Sequence, residues 1–223
     1  TFFFARTVGT SNDVNTDKGL GEATELKPVE LGGLEWRHYY QPITIPSDYG
    51  SGLLNFSYHK GARIHSNSWG PTSYPNYGEN DYELDEFVQE HADMLVLFAA
   101  GNSGPGWNTV MNTAKNVLTV GSTKNVEDGS NILSTFSSKG PTFDGRFKPD
   151  VVAVGEIFSA ASSGRFGDTQ SDCGTTYMRG TSMATPITAG TAALLRQYIL
   201  EGRLRELRWH CSEHPVAGVH QHD

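Results

Sequence analysis

Gly180-Thr-Ser182-Met-Ala-Thr-Pro186 sets one serine among small neighbours, directly ahead of an apolar run. Glycine and alanine around Ser182 leave room for a substrate backbone to come close. Behind the motif, Ile187, Ala189, Gly190, Ala193, Leu194 and Leu195 predict a helix that is apolar on most sides and therefore buried. The N-terminus of a helix carries unpaired N–H groups and the positive end of the dipole. Both favour negative charge developing on an attacked carbonyl oxygen. Pro186 is expected in the first helical turn, where a missing N–H costs nothing. Ser182 is thus a candidate nucleophile, whereas a bare Thr-Ser-Met would read as a helix cap.

Three further segments accompany the motif. They are Ala62-Arg-Ile-His-Ser-Asn-Ser-Trp-Gly70, Phe98-Ala-Ala-Gly-Asn102-Ser-Gly-Pro-Gly106 and Phe136-Ser-Ser-Lys-Gly-Pro-Thr-Phe-Asp-Gly-Arg-Phe-Lys-Pro-Asp150. In this order, and over roughly residues 50 to 198, the chain resembles the subtilases, the subtilisin-like serine proteases. The resemblance implies a serine endopeptidase with Ser182 as nucleophile and Asn102 as the side-chain donor to the oxyanion. It would place Ser68, Trp69 and Gly70 beside the backbone of an extended peptide, pairing as an added strand. Trp69 reads equally well as a core anchor. Ala99, Ala100 and Gly101 would floor the pocket for the side chain preceding the cut, and their small size suggests tolerance of large apolar or aromatic side chains. Peptide or protein substrates and a secreted or extracytoplasmic setting follow from the same resemblance. The chemistry needs no cofactor. Structural calcium supports many members of the family, but no loop here can be assigned to it.

The surroundings of Asn102 support that role on physical grounds. Met94-Leu-Val-Leu-Phe-Ala-Ala100 is an unbroken apolar run, as expected of a parallel strand covered on both faces. It ends in a glycine-rich turn, and open α/β sheets bind ligands beyond the carboxyl ends of their strands. An asparagine amide can donate to an oxyanion without a charge that must be desolvated. Taken alone, Gly-Asn-Ser-Gly would read as a turn with a left-handed asparagine.

A serine hydroxyl is a weak nucleophile until a base, held in the right tautomer, takes its proton. The family carries its aspartate in Asp-Ser/Thr-Gly and its histidine in His-Gly-Thr-His, and neither string occurs in this sequence. His38, His59, His65 and His91 precede Ser182 without that context; His65 falls on a strand and His91 on a helix, where structural roles are expected. The opening Thr1-Phe2-Phe3-Phe4-Ala5 reads as a strand already inside a fold. The chain is therefore expected to be a subtilase piece that is almost inactive alone. The alternative is a non-catalytic relative that at most binds peptides. An α/β-hydrolase reading of Gly180-x-Ser182-x-Ala184 fails, because that fold wants glycine last and explains neither the Asn102 segment nor Ser-Trp-Gly.

Composition bounds the remaining classes. A chain of 223 residues can bury one sizeable core. A formal net charge of −8 without a basic block argues against nonspecific nucleic-acid binding. No apolar run approaches the roughly 18 residues of a membrane span. Cys173 and Cys211 are too few for a disulfide framework. The sequon at Asn55 falls in a predicted helix and is read as accidental. The oligomeric state is left open.

These residues need elements to position them. Residues 10 to 46 are polar and irregular. Ser47 is expected to cap a helix bearing Leu53, Leu54 and Tyr58, closed by Gly61. Strands are predicted at 62–67, from Met94, at 116–120 and at 151–154, and an amphipathic helix at 81–93 with Leu84, Phe87, Val88 and His91 on one face. Helices alternating with buried strands imply an α/β fold, a mostly parallel sheet with helices on both faces. Residues 1–200 are read as a partial catalytic domain. Residues 201–223 are read as a divergent, disordered tail in which His210, Cys211, His214, His220 and His222 match no zinc-finger spacing.

Overall fold

Residues 49–71, 76–124, 132–160 and 175–200 are described by a computed structural model. The expectations for Phe2–Phe4, residues 10–46, Ser47, both cysteines and the 201–223 tail lie outside these residues. Among the described residues, a π-helical turn (Tyr49–Leu54) runs into α1 (Asn55–His59), followed by β1 (Ile64–Asn67), α2 (Glu79–Glu90), β2 (Leu95–Ala99) and β3 (Leu118–Thr123). Then come β4 (Val151–Val154), β5 (Glu156–Ala160), β6 (Thr175–Arg179) and α3 (Thr181–Leu200). Strands β1 to β4 form one sheet in that order, and every neighbouring pair is parallel.

Alternation along β2 explains its unbroken hydrophobicity. Val96 and Phe98 join Leu54, Leu84, Phe87, Met94, Ala114 and Val117 on the α2 side. Leu97 joins Val120, Ala184 and Ala189 on the α3 side, with Leu95 packed against them. Both faces are covered, so each position gains from being apolar, about 1.5–3 kcal/mol for a fully buried Val, Leu or Phe side chain. Helix α3 packs across all four strands.

Most elements start or stop within a few residues of the sequence reading, and the differences have local causes. Helix α2 begins at Glu79 because Asp81 turns back to accept the Gly78 N–H at 3.0 Å. Strand β3 begins two residues later than predicted. Asn116 is held outside the sheet by Asp85, whose Oδ1 accepts its N–H at 2.6 Å and whose carbonyl accepts its side-chain amide at 3.1 Å. The antiparallel β5–β6 pair was not foreseen at all. Lys148 and Asp150 tie β4 to β3: the ammonium donates to the Val117 carbonyl at 2.8 Å and to Asp150 at 2.7 Å, and Asp150 accepts the Thr119 N–H.

His65 is structural, as expected. It pairs in register with Val96, so its ring lies on the α2 face of the sheet, away from α3. Neither ring nitrogen has a hydrogen-bond partner among the described residues, and burial pushes the imidazole down to about 4, opposed only by Asn67 beside it. The unfolded chain therefore binds a proton near pH 6.5 that the folded one refuses until about pH 4. Stability should fall as pH drops through that window, by on the order of 3 kcal/mol from this group. Chemical denaturation at pH 7 and pH 4.5 checks this. The acid-side slope should shrink in His65→Leu, and an unchanged slope would count against a neutral buried imidazole.

Candidate active site

The predicted site residues converge beyond the carboxyl ends of β1 and β2. Gly180 alone separates β6 from α3, which starts at Thr181, so Ser182 is the second helical residue rather than its cap. The cap role belongs to Gly180, whose carbonyl accepts the N–H groups of Met183 and Ala184. The Ser182 N–H has no partner among the described residues. The Ser182 hydroxyl donates to the Ser68 carbonyl at 3.1 Å, and the Ser68 hydroxyl donates to the Ser182 carbonyl at 2.8 Å. Pro186 departs from expectation. It is the sixth residue of α3, inside the helix, so its missing N–H does withhold a helical hydrogen bond from the Ser182 carbonyl.

Asn102 lies three residues past β2, exposed, with its amide against Gly180. Its Oδ1 accepts two hydrogen bonds from Thr181, from the backbone N–H at 2.9 Å and from the hydroxyl at 3.1 Å. A backbone N–H can only donate, so the oxygen must face Thr181 and the Nδ2 hydrogens must face outward. The Thr181 hydroxyl in turn accepts the Gly101 N–H at 3.2 Å. Two donors that no described residue uses, Asn102 Nδ2 and Ser182 N–H, thus lie at the first turn of α3, which also carries the Ser182 hydroxyl. Thr181, which sequence reasoning missed, fixes one of them. Its signal was present as the residue before the serine, but a fully buried hydroxyl cannot be recognised from sequence.

Gly101 takes φ +104°, and a Cβ there would meet Met111 Sδ at 2.7 Å and Ser138 Oγ at 2.9 Å. Glycine is required on both counts. Ser138 further accepts the Ser103 N–H at 3.0 Å and donates its own N–H to the Gly101 carbonyl at 2.9 Å. The Phe136–Asp150 segment therefore braces the turn that carries Asn102.

The proposed walls differ in character. The carbonyls of Ala99, Ala100 and Gly101 are taken by Asn112 Nδ2, Met111 N–H and Ser138 N–H respectively, so this segment offers a surface and no pairing edge. Ala100 is fully buried. The Trp69 ring stacks edge-on against Phe98 at 5.2 Å and Tyr49 at 5.4 Å, which assigns the side chain to the core. Asn112 bounds the gap between the walls. Its Nδ2 lies 2.6 Å from the Ala99 carbonyl, and a Cβ on Gly70 would come within 2.9 Å of it. The space is narrower than the alanines and glycines alone suggest.

None of the three described histidines meets Ser182. His91 stacks on Phe87 at 4.1 Å and bonds the Phe87 carbonyl through Nδ1 at the end of α2, and His59 is exposed at the end of α1. Among the described residues, no three His, Cys, Asp or Glu side chains gather to hold a metal ion, and no helix is long and apolar enough to cross a membrane.

Asn102 past β2 and the Ser182-bearing first turn of α3 meet beyond the carboxyl ends of a parallel sheet, which places the chain in the α/β class with its candidate site at the strand ends. Known proteins narrow that class. The subtilase family matches residues 38–211, and the chain belongs to it. It is 42% identical over 132 residues to serine protease AprX of Bacillus subtilis, covering 53% of this chain and 30% of AprX. It is 28% identical over 245 residues to the serine protease/ABC transporter B family protein tagD of Dictyostelium discoideum, covering 70% of this chain and 13% of tagD. Among solved structures, the prenylagaramide maturation protease PagA superposes with a TM-score of 0.51 at 29% identity, covering 68% of this chain and 50% of PagA. The chain thus spans less than a third of the length of either curated relative.

Proposed function

We propose that this chain supplies the nucleophile and the oxyanion site of a serine endopeptidase. In this reading the Ser182 hydroxyl attacks the carbonyl of a peptide bond while a base takes its proton. The negative charge formed on the carbonyl oxygen is held by Ser182 N–H and Asn102 Nδ2. The amine leaves with the proton, and water then hydrolyses the ester on Ser182. The substrate would be an extended peptide or protein segment lying along Ser68–Gly70. Its side chain before the cut would enter between that strand and Ala99–Gly101, against Asn112. The base would come from outside the described residues. The chemistry calls for no cofactor; an extracytoplasmic setting and structural calcium elsewhere in the protein belong to the same proposal.

The observation that carries it is the pair of donors that no described residue uses at the first turn of α3, one of them oriented by Thr181. A second reading is a relative that binds peptides without cutting them. It draws on His59, His65 and His91, whose partners lie elsewhere: His91 on Phe87, His65 paired with Val96 and His59 beside Tyr58. A fluorophosphonate probe applied to the full-length gene product separates the two. Covalent labelling mapped to Ser182 by mass spectrometry supports the peptidase. Peptide binding without labelling favours the binder.

A further inference from the structure

An α-helix serves each carbonyl with the N–H four residues on. For Ser182 that residue is Pro186, which has no N–H and whose ring presses on the carbonyl four residues back. The threonines of α3 do not compensate: Thr185, Thr188 and Thr191 hydroxyls donate to Thr181, Ala184 and Ile187. A side chain off the helix reaches the Ser182 carbonyl instead, the Ser68 hydroxyl at 2.8 Å. The Ser68 carbonyl accepts the Ser182 hydroxyl in return.

We propose that Ser68 is a positioning residue for Ser182, its hydroxyl replacing the hydrogen bond that Pro186 withholds from the helix. Two bonds to one serine fix both its peptide plane and its side-chain rotamer, and they anchor the first turn of α3 to the end of β1. The clasp also parks the Ser182 proton on a backbone carbonyl, so the hydroxyl is held in one orientation until a base turns it. The kinetic part of this inference rests on Ser182 being the nucleophile. The geometric part does not.

A double-mutant cycle in the full-length protein tests it, because Pro186→Ala returns an N–H to the helix. Ser68→Ala should lower kcat by about tenfold with Pro186 present, the scale of one lost hydrogen bond. In the Pro186→Ala background the same change should cost less than about twofold. The melting temperature should follow the same pattern, falling by about 2–4 °C in the first background and staying level in the second. Should Ser68→Ala fail to fold while the double variant folds, the clasp is equally supported. Equal losses in both backgrounds, or none in either, overturn it. If the parent protein neither labels at Ser182 nor turns over, the nucleophile assignment is what fails, and the melting cycle decides the clasp alone.

Discussion

In the full-length protein, with Ser182 as the proposed nucleophile, Ser182→Ala is expected to reduce peptide turnover by about a million-fold, the loss recorded when the nucleophile is removed from a subtilisin. The size follows from what remains. Without Oγ no acyl-enzyme can form, and the two donors can only polarise a carbonyl toward attack by water. The fold should survive, because the Ser68 hydroxyl bonds the backbone carbonyl of residue 182 and not its side chain. The serine is only half-buried, so the alanine leaves little void. Peptide affinity, measured by calorimetry on the inactive variant, should stay within a few-fold of the parent KM. Turnover kept within about a hundredfold of the parent would mean that another group does the chemistry.

The site was legible where chemistry dictates residue type at close spacing. Ser182, its small neighbours and the existence of the helix behind them could be read directly. So could β2 and the turn after it, because burial on two faces leaves an unbroken apolar run. The expected burial of α3 holds only for its first half, since Leu195, Ile199 and Leu200 reach solvent. What escaped depends on long-range contact. Thr181 holds Asn102 across 79 residues, and Asn112 reaches Ala99 while filling space beside Gly70. Neither threonine nor asparagine announces a distant partner. Pro186 was misplaced because helix starts are set by caps, and the cap here is the backbone carbonyl of Gly180, which carries no side-chain signal. The β5–β6 pair escaped for a related reason. Phe158, Tyr177 and Met178 are substantially exposed, so alternation between buried and exposed faces is weak there.

Asn102 separates catalysis from architecture when two substitutions are compared. Asn102→Leu removes both halves of the amide. Losing Nδ2 should lower kcat by about 100- to 1,000-fold, the range found for the corresponding donor in a subtilisin itself. Losing Oδ1 strands the Thr181 N–H and hydroxyl, and the fully buried hydroxyl should cost about 1–3 kcal/mol of stability. Asn102→Asp keeps an oxygen facing Thr181, so its melting temperature should lie nearer the parent. Its outward oxygen, however, accepts instead of donating and brings negative charge toward the developing oxyanion. Its kcat should therefore fall at least as far as that of the leucine variant. In both, KM should change by less than about threefold, since the donor acts on charge that exists only in the transition state. Equal melting temperatures for the two variants would remove Thr181 as the group that orients the amide. A wild-type kcat for Asn102→Asp would remove Asn102 from the oxyanion site, because a carboxylate there cannot stabilise a second negative charge.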